Sequence, residues 1–153
     1  RDGLLSGSAR YFARVNERFM VFASLTGAFG HALDLDHELE LGGDSGLRGY
    51  PLRYQTGSSR VLGTVEARLF TDWYPFHLAR VGAAAFADAG VVSGDSATGS
   101  AGAGTLRDVG FGLRLGNTRS ALGNVLHIDL AFPLDDGPNV DPVQLLIKTH
   151  RSF

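Results

Sequence analysis

Apolar residues alternate with polar or small ones along most of this chain, a period of two that marks β-strands rather than helices. Residues 60–70 put Val61, Val65, Ala67 and Leu69 on one face and Arg60, Thr64, Glu66 and Arg68 on the other. In 78–92, Val81, Ala83, Ala85, Ala87 and Ala89 oppose Arg80, Gly82, Ala84, Phe86, Asp88 and Gly90. In 106–115, Val109, Phe111, Leu113 and Leu115 oppose Asp108, Gly110, Gly112 and Arg114. In 125–134, Leu126, Ile128, Leu130 and Phe132 oppose His127, Asp129 and Ala131. About seven strands are predicted, at 4–15, 19–29, 60–70, 78–92, 106–115, 125–134 and 143–153, each long enough for the ~9–11 residues of a membrane-spanning strand.

The connections at Asn16, Asp72 and Asn117 are short, and those after Phe29, Val92 and Leu134 are longer. Up-and-down barrels of the outer membrane share that asymmetry, with short periplasmic turns and longer outer loops. A soluble sandwich also has a dry face and a wet face, but its wet face would carry Lys, Thr and Glu at most outward positions. Here Gly and Ala are mixed with a few Arg and Asp residues, as expected where an inserted segment approaches the strands closely. Phe70, Trp73, Tyr74 and Phe76 gather at one turn, and Phe132 and Phe153 lie near other strand ends, where an interfacial girdle would put them. Alternation and loop lengths alone fit a membrane barrel and a soluble sheet domain alike.

The long connection 30–57 holds the densest run of turn-formers in the first half, Gly42-Gly43-Asp44-Ser45-Gly46-Leu47-Arg48-Gly49-Tyr50-Pro51. That ten-residue run carries one fixed cation, Arg48. Glu66 and Asp88 fall on the polar faces of successive strands, and a guanidinium offers five donors in a fork suited to carboxylates. Arg48 is therefore expected to sit between Glu66 and Asp88, with Gly49 letting the backbone pass close to the strands. Gly43-Asp44-Ser45-Gly46 also resembles the surroundings of a trypsin-like serine nucleophile. His31 and His37 lie too close in sequence for that fold, and a tight turn closed by an Asx-type bond from Asp44 is expected instead. His31, Asp34, Asp36, His37, Glu38 and Glu40 could hold a metal, but alternating Leu33, Leu35, Leu39 and Leu41 suggest a two-faced extension with a solvated side. His127 and Asp129 share a face and could pair. Asp135, Asp136 and Asp141 are read as an acidic loop. No catalytic residue, cofactor or metal is expected.

Composition narrows the partners. A length of 153 residues is one domain by the usual prior. A net charge of −2 supplies no basic field, which disfavours nucleic acid. Without cysteine there are no disulfides or thiolate metal sites. A mean hydropathy of +0.02 looks soluble, yet barrel strands average to neutral in the same way. The chain opens on Arg1 with no initiator Met and no secretory signal pattern, so a fragment or processed piece is expected.

Several motifs then fall in the order of a known family. Leu47-Arg48-Gly49-Tyr50 resembles the Val/Leu-Arg-Gly-Phe/Tyr loop of the BamA/TamA-type outer-membrane assembly and two-partner secretion barrels, the bacterial surface antigen superfamily. Glu66-Ala67-Arg68 looks like that family's Glu-bearing strand. Phe86-Ala87-Asp88-Ala89-Gly90 resembles its Phe-x-Asp-x-Gly strand, and Gly110-Phe111-Gly112-Leu113-Arg114 its Gly-x-Gly-x-Arg strand. Asp129-Leu130-Ala131-Phe132-Pro133 is similar to its Asp-x-Ala-x-Pro, and the chain ends on Phe153 as such barrels do. Lys148, His150 and Arg151 depart from the family's terminal strand in being basic.

The resemblance implies an all-β, antiparallel up-and-down transmembrane β-barrel segment, with residues 1–153 forming the C-terminal half of a larger barrel. It implies that the loop 30–57 folds inward and that Arg48 is locked to Glu66 and Asp88. The implied location is the bacterial outer membrane. The implied partners are outer-membrane lipid, β-rich client polypeptides that the barrel inserts or exports, and periplasmic domains upstream of this piece. The expected role is assembly or translocation without enzymatic chemistry. The alternatives are the barrel anchor of a secreted patatin-like lipase and a soluble β-sandwich binding module.

Overall fold

The computed structural model describes residues 3–31, 39–77, 79–94, 104–117 and 124–151. Nine strands run through them: β1 (Gly3–Arg14), β2 (Phe19–His31), β3 (Leu39–Leu41), β4 (Gln55–Gly57), β5 (Ser59–Phe70), β6 (Ala79–Ser93), β7 (Thr105–Asn117), β8 (Asn124–Pro133) and β9 (Gln144–Arg151). Seven of these build one antiparallel sheet in the order β1-β2-β5-β6-β7-β8-β9, with every neighbour also next in chain order once the β3–β4 excursion is set aside. The expected seven strands thus form, with ends displaced by a residue or two. Leu134 and Val143 fall outside β8 and β9, and Phe153 lies outside the described residues. The His31-to-Glu38 part of the suspected metal cluster largely lies there too. Among the described residues no group of three or more His, Cys, Asp or Glu is arranged to hold a metal ion.

Short turns hold the register at one end of the sheet. Asn16 Oδ1 accepts the backbone N–H groups of Arg18 at 2.9 Å and Phe19 at 2.8 Å, folding β1 back on β2. An Arg18–Asp72 ion pair ties that turn to the β5–β6 turn. With the register set, the two faces of β5, β6 and β7 differ sharply. Thr64, Glu66, Asp88, Asp108, Arg114 and Asp129 are all buried on one face. On the other, Leu25, Val65, Leu113, Leu145 and Ile147 are exposed, and Phe111 keeps 55% of its surface. Polar side chains are inside and apolar ones outside, the reverse of a soluble sheet.

The polar face is covered by the chain's own loop. β3 and β4 pair as a small hairpin, Leu39 with Gly57 and Leu41 with Gln55, and the residues between them lie on the sheet. Leu41, Leu47 and Tyr50 from the loop pack with Leu62 of β5, Val92 of β6 and Leu106 of β7 as the buried apolar cluster. Its six side chains remove enough apolar surface to seat the loop firmly, at roughly 1.5–3 kcal/mol for each large residue fully buried. The sheet curls about the loop, so that Arg10 of β1 and Lys148 of β9 line one cavity of about 990 Å³ with Glu66 and Arg114.

Candidate functional site: an arginine lock beneath the inserted loop

The turn that carries Arg48 is built by its glycines and by Ser45. The Leu47 N–H donates to the Gly42 carbonyl at 3.0 Å, and the Gly43 N–H donates to that of Pro51 at 3.2 Å. The Ser45 hydroxyl accepts the Gly42 N–H at 2.8 Å and donates back to the Gly42 carbonyl at 3.1 Å. The side chain that closes the turn is therefore Ser45, not Asp44 as expected, because the hydroxyl can act as donor and acceptor at once. Those bonds also occupy the hydroxyl that a nucleophile would need. Gly46 adopts φ 122°, a conformation that other residues rarely tolerate.

Arg48 emerges from this turn onto the middle of the sheet. Its Nη1 lies 2.8 Å from Glu66 Oε2 and 3.3 Å from Asp129 Oδ2, and its Nε lies 3.1 Å from Asp88 Oδ2. The guanidinium carbon stands 3.7 Å over the centre of the Phe86 ring. One cation thus touches carboxylates on β5, β6 and β8 and stacks on an aromatic face, and only 14% of its side chain stays exposed. Burial alone would lower the Arg48 pKa. Asp88, Glu66 and Asp129 more than offset it, so the group is held charged above its ordinary value.

The strand registers explain why these residues meet. Glu66 pairs with Phe86 and Phe86 with Gly110, while Thr64, Asp88, Asp108 and Pro133 form the adjacent row. A side chain at Gly110 would strike the Phe86 ring, so glycine leaves that ring the space over which Arg48 stacks. A Cβ at Gly112 would strike Asp129 Oδ1, and one at Gly90 would sit 3.0 Å from Leu41. A Cβ at Gly49 would lie 2.6 Å from the Asp108 Cβ and 3.0 Å from the Pro133 nitrogen. The spaced glycines of the strand motifs are the footprint of the loop and of the ion network beneath it.

Further charges surround the lock. Arg68 Nε is 2.6 Å from Glu66 Oε1, Arg114 Nη2 is 3.2 Å from the same oxygen, and Arg114 Nη1 pairs with Asp129. Asp129 thus meets Arg114 and Arg48. The Gly49 N–H donates to Asp108 Oδ2 at 2.9 Å. Tyr50 donates to the Arg107 carbonyl at 2.9 Å and lies 3.3 Å from Asp135, which itself grips Arg107 at 2.7 Å. The Arg107 hydrogen bond holds the Asp135 carboxyl below its usual pKa, and burial pushes the Tyr50 hydroxyl up.

The structure brings together Leu47, Arg48, Gly49, Tyr50, Glu66, Asp88, Phe86, Gly90, Gly110, Gly112, Arg114, Asp129 and Pro133. Sequence reasoning did not assign Asp108 and Asp135 a part in the site. Asp108 could have been found from its place on the polar face of its strand, whereas Asp135 sits in a loop and carries no periodic signal. No protein-family model matches the chain, and no curated protein matches it.

Proposed function

We propose that this chain is the C-terminal part of an outer-membrane β-barrel of the BamA/TamA-type assembly and two-partner secretion superfamily, and that it serves in inserting or exporting β-rich polypeptides. The observation that carries the proposal is the buried contact of Arg48 with Glu66, Asp88 and Asp129, made by a loop lying across a sheet whose other face is apolar and exposed. Such a bare face needs lipid or a partner to cover it. A loop pinned by one cation to three strands fixes their spacing, and with it the shape of the channel they line. β1 and β9 are the edges of the sheet, open to further strands of the same barrel or to an arriving client strand.

Arg48 and its partners work by position: seated, they hold the loop inward; released, they leave buried carboxylates without their cation. The test is the folding rate of an outer-membrane barrel client in vesicles carrying the full-length protein. Arg48→Glu is expected to reduce that rate to the level of empty vesicles. An undiminished rate in the variant would show that assembly does not depend on Arg48, and a wild-type rate no higher than that of empty vesicles would refute the assembly role.

A further inference from the structure

The basic residues of β9 set it apart from the terminal strands it otherwise resembles, and one of them reaches the loop. Among the described residues β9 is hydrogen-bonded as a strand to β8 alone, over the pairs from Ala131–Gln144 to Asn124–Arg151. Its covered face presents Leu146 and Lys148. Lys148 Nζ donates to the Gly43 carbonyl at 2.7 Å, and a Cβ at Gly43 would stand 3.9 Å from Leu146. Gly43 is thereby held from both sides, its amide by Pro51 and its carbonyl by Lys148.

We propose that Lys148 is a positioning residue through which the seated loop holds the terminal strand, so that release of Arg48 and loosening of β9 are one linked event. The proposal rests on the loop acting as the lock described above. The charges facing Lys148 are Asp44 from the loop, Asp129 from β8 and Asp88 from β6, with Arg48 opposing it. Across the ladder its partner in register is His127. Lys148 bonds a backbone carbonyl, so it does not compete with Arg48 for Glu66 or Asp88. Its ammonium is half-buried and adds a charge-assisted bond where the loop touches the sheet's last strand. The loop therefore runs a chain of contacts from β5 and β6 through β7 and β8 to the edge at β9.

Hydrogen exchange of the full-length protein in lipid vesicles separates the possibilities. Lys148→Met is expected to raise exchange in residues 144–151 and 42–46 by about 5- to 10-fold, the scale of one charged hydrogen bond discounted for partial exposure, and to leave β5 and β6 unchanged. Lys148→Arg, which keeps a donor, should restore most of the protection. Arg48→Ala should raise exchange in β9 in the wild-type background and add nothing further in the Lys148→Met background. Unchanged β9 exchange in Lys148→Met overturns the proposal, as do effects of the two substitutions on β9 that simply multiply. Failure of the lock itself looks different: Arg48→Ala would leave residues 42–50 protected. In that case the Lys148→Met arm still decides whether the lysine holds the strand.

Discussion

Arg48 draws its hold from geometry as much as from charge. Its Nε faces Asp88 and its Nη1 is shared by Glu66 and Asp129, while the flat guanidinium lies on Phe86. Lysine keeps the charge but has neither the fork nor the plane, so Arg48→Lys should behave as a loss of function rather than a conservative exchange. Arg48→Ala leaves the carboxylates buried without their central cation and should cost about 3–5 kcal/mol of loop-seating free energy if the site is dry, less where water enters. Denaturant-dependent exchange of residues 42–50 measures it. Gly49→Ala tests the fit rather than the charge. The added methyl meets the Asp108 Cβ and the Pro133 nitrogen, and should unseat the turn by about 1–3 kcal/mol in the same measurement, with Arg48 intact. The Arg48–Glu66–Asp88 contact was legible in sequence, because a lone cation in a glycine-rich loop and acids on alternating faces constrain one another. The third carboxylate was not, since periodicity alone chooses no partner for Asp129. That choice depended on Gly112, whose missing side chain opens the space in which Arg114 and Asp129 meet.

At the scale of elements, the loop is held at several places with different chemistry. Beyond the ion network, Tyr50 is anchored at the Arg107 carbonyl, and Asp135 bonds the Arg107 N–H and side chain at the start of the long connection after β8. Tyr50→Phe removes the hydroxyl and should cost about 1 kcal/mol, read as faster exchange at residues 47–54 with the Arg48 contacts retained. Because Asp135 is depressed in the folded state, its contribution is complete above the ordinary carboxylate range and is lost as pH falls through the lowered value. Acidification should therefore loosen the Arg107 and Leu134 amides after correction for intrinsic exchange. Asp135→Asn should show the loosened behaviour already at neutral pH and lose that part of the pH response. The main strands were readable because they run for 8 to 15 residues, long enough for a period of two to show. The β3–β4 hairpin was not, since three-residue strands are too short to show a period and their pairing is set by the sheet beneath them.

On the scale of the whole molecule, the sheet covers the face that carries its charges and leaves the opposite, apolar face bare. Lipid would complete such a surface. Phe111 sits near the middle of β7 on the bare face, with Ala85 and Leu130 beside it in register. Phe111→Arg should cost about 2–4 kcal/mol for folding into a bilayer, whereas a solvated face would accept the charge with little effect. Trp73, the chain's single tryptophan, is exposed in the β5–β6 turn. Its fluorescence should be quenched by lipids brominated near the headgroup, and quenching strongest with bromine at the chain ends would contradict an interfacial position. The two-faced pattern was visible in sequence, and the glycines and alanines among its polar positions pointed to the face that the loop covers; alternation by itself is the same in a barrel and a sandwich.

Residue 48 is what holds the loop against the sheet. The direct measurement is hydrogen exchange over residues 42–50 of the full-length protein in lipid vesicles, wild type against Arg48→Ala. Slow exchange in the wild type, accelerated by more than about 10-fold in the variant, is the expected result. Equal exchange in both proteins would show that the contacts to Glu66, Asp88 and Asp129 do not hold the loop, and would contradict the central claim.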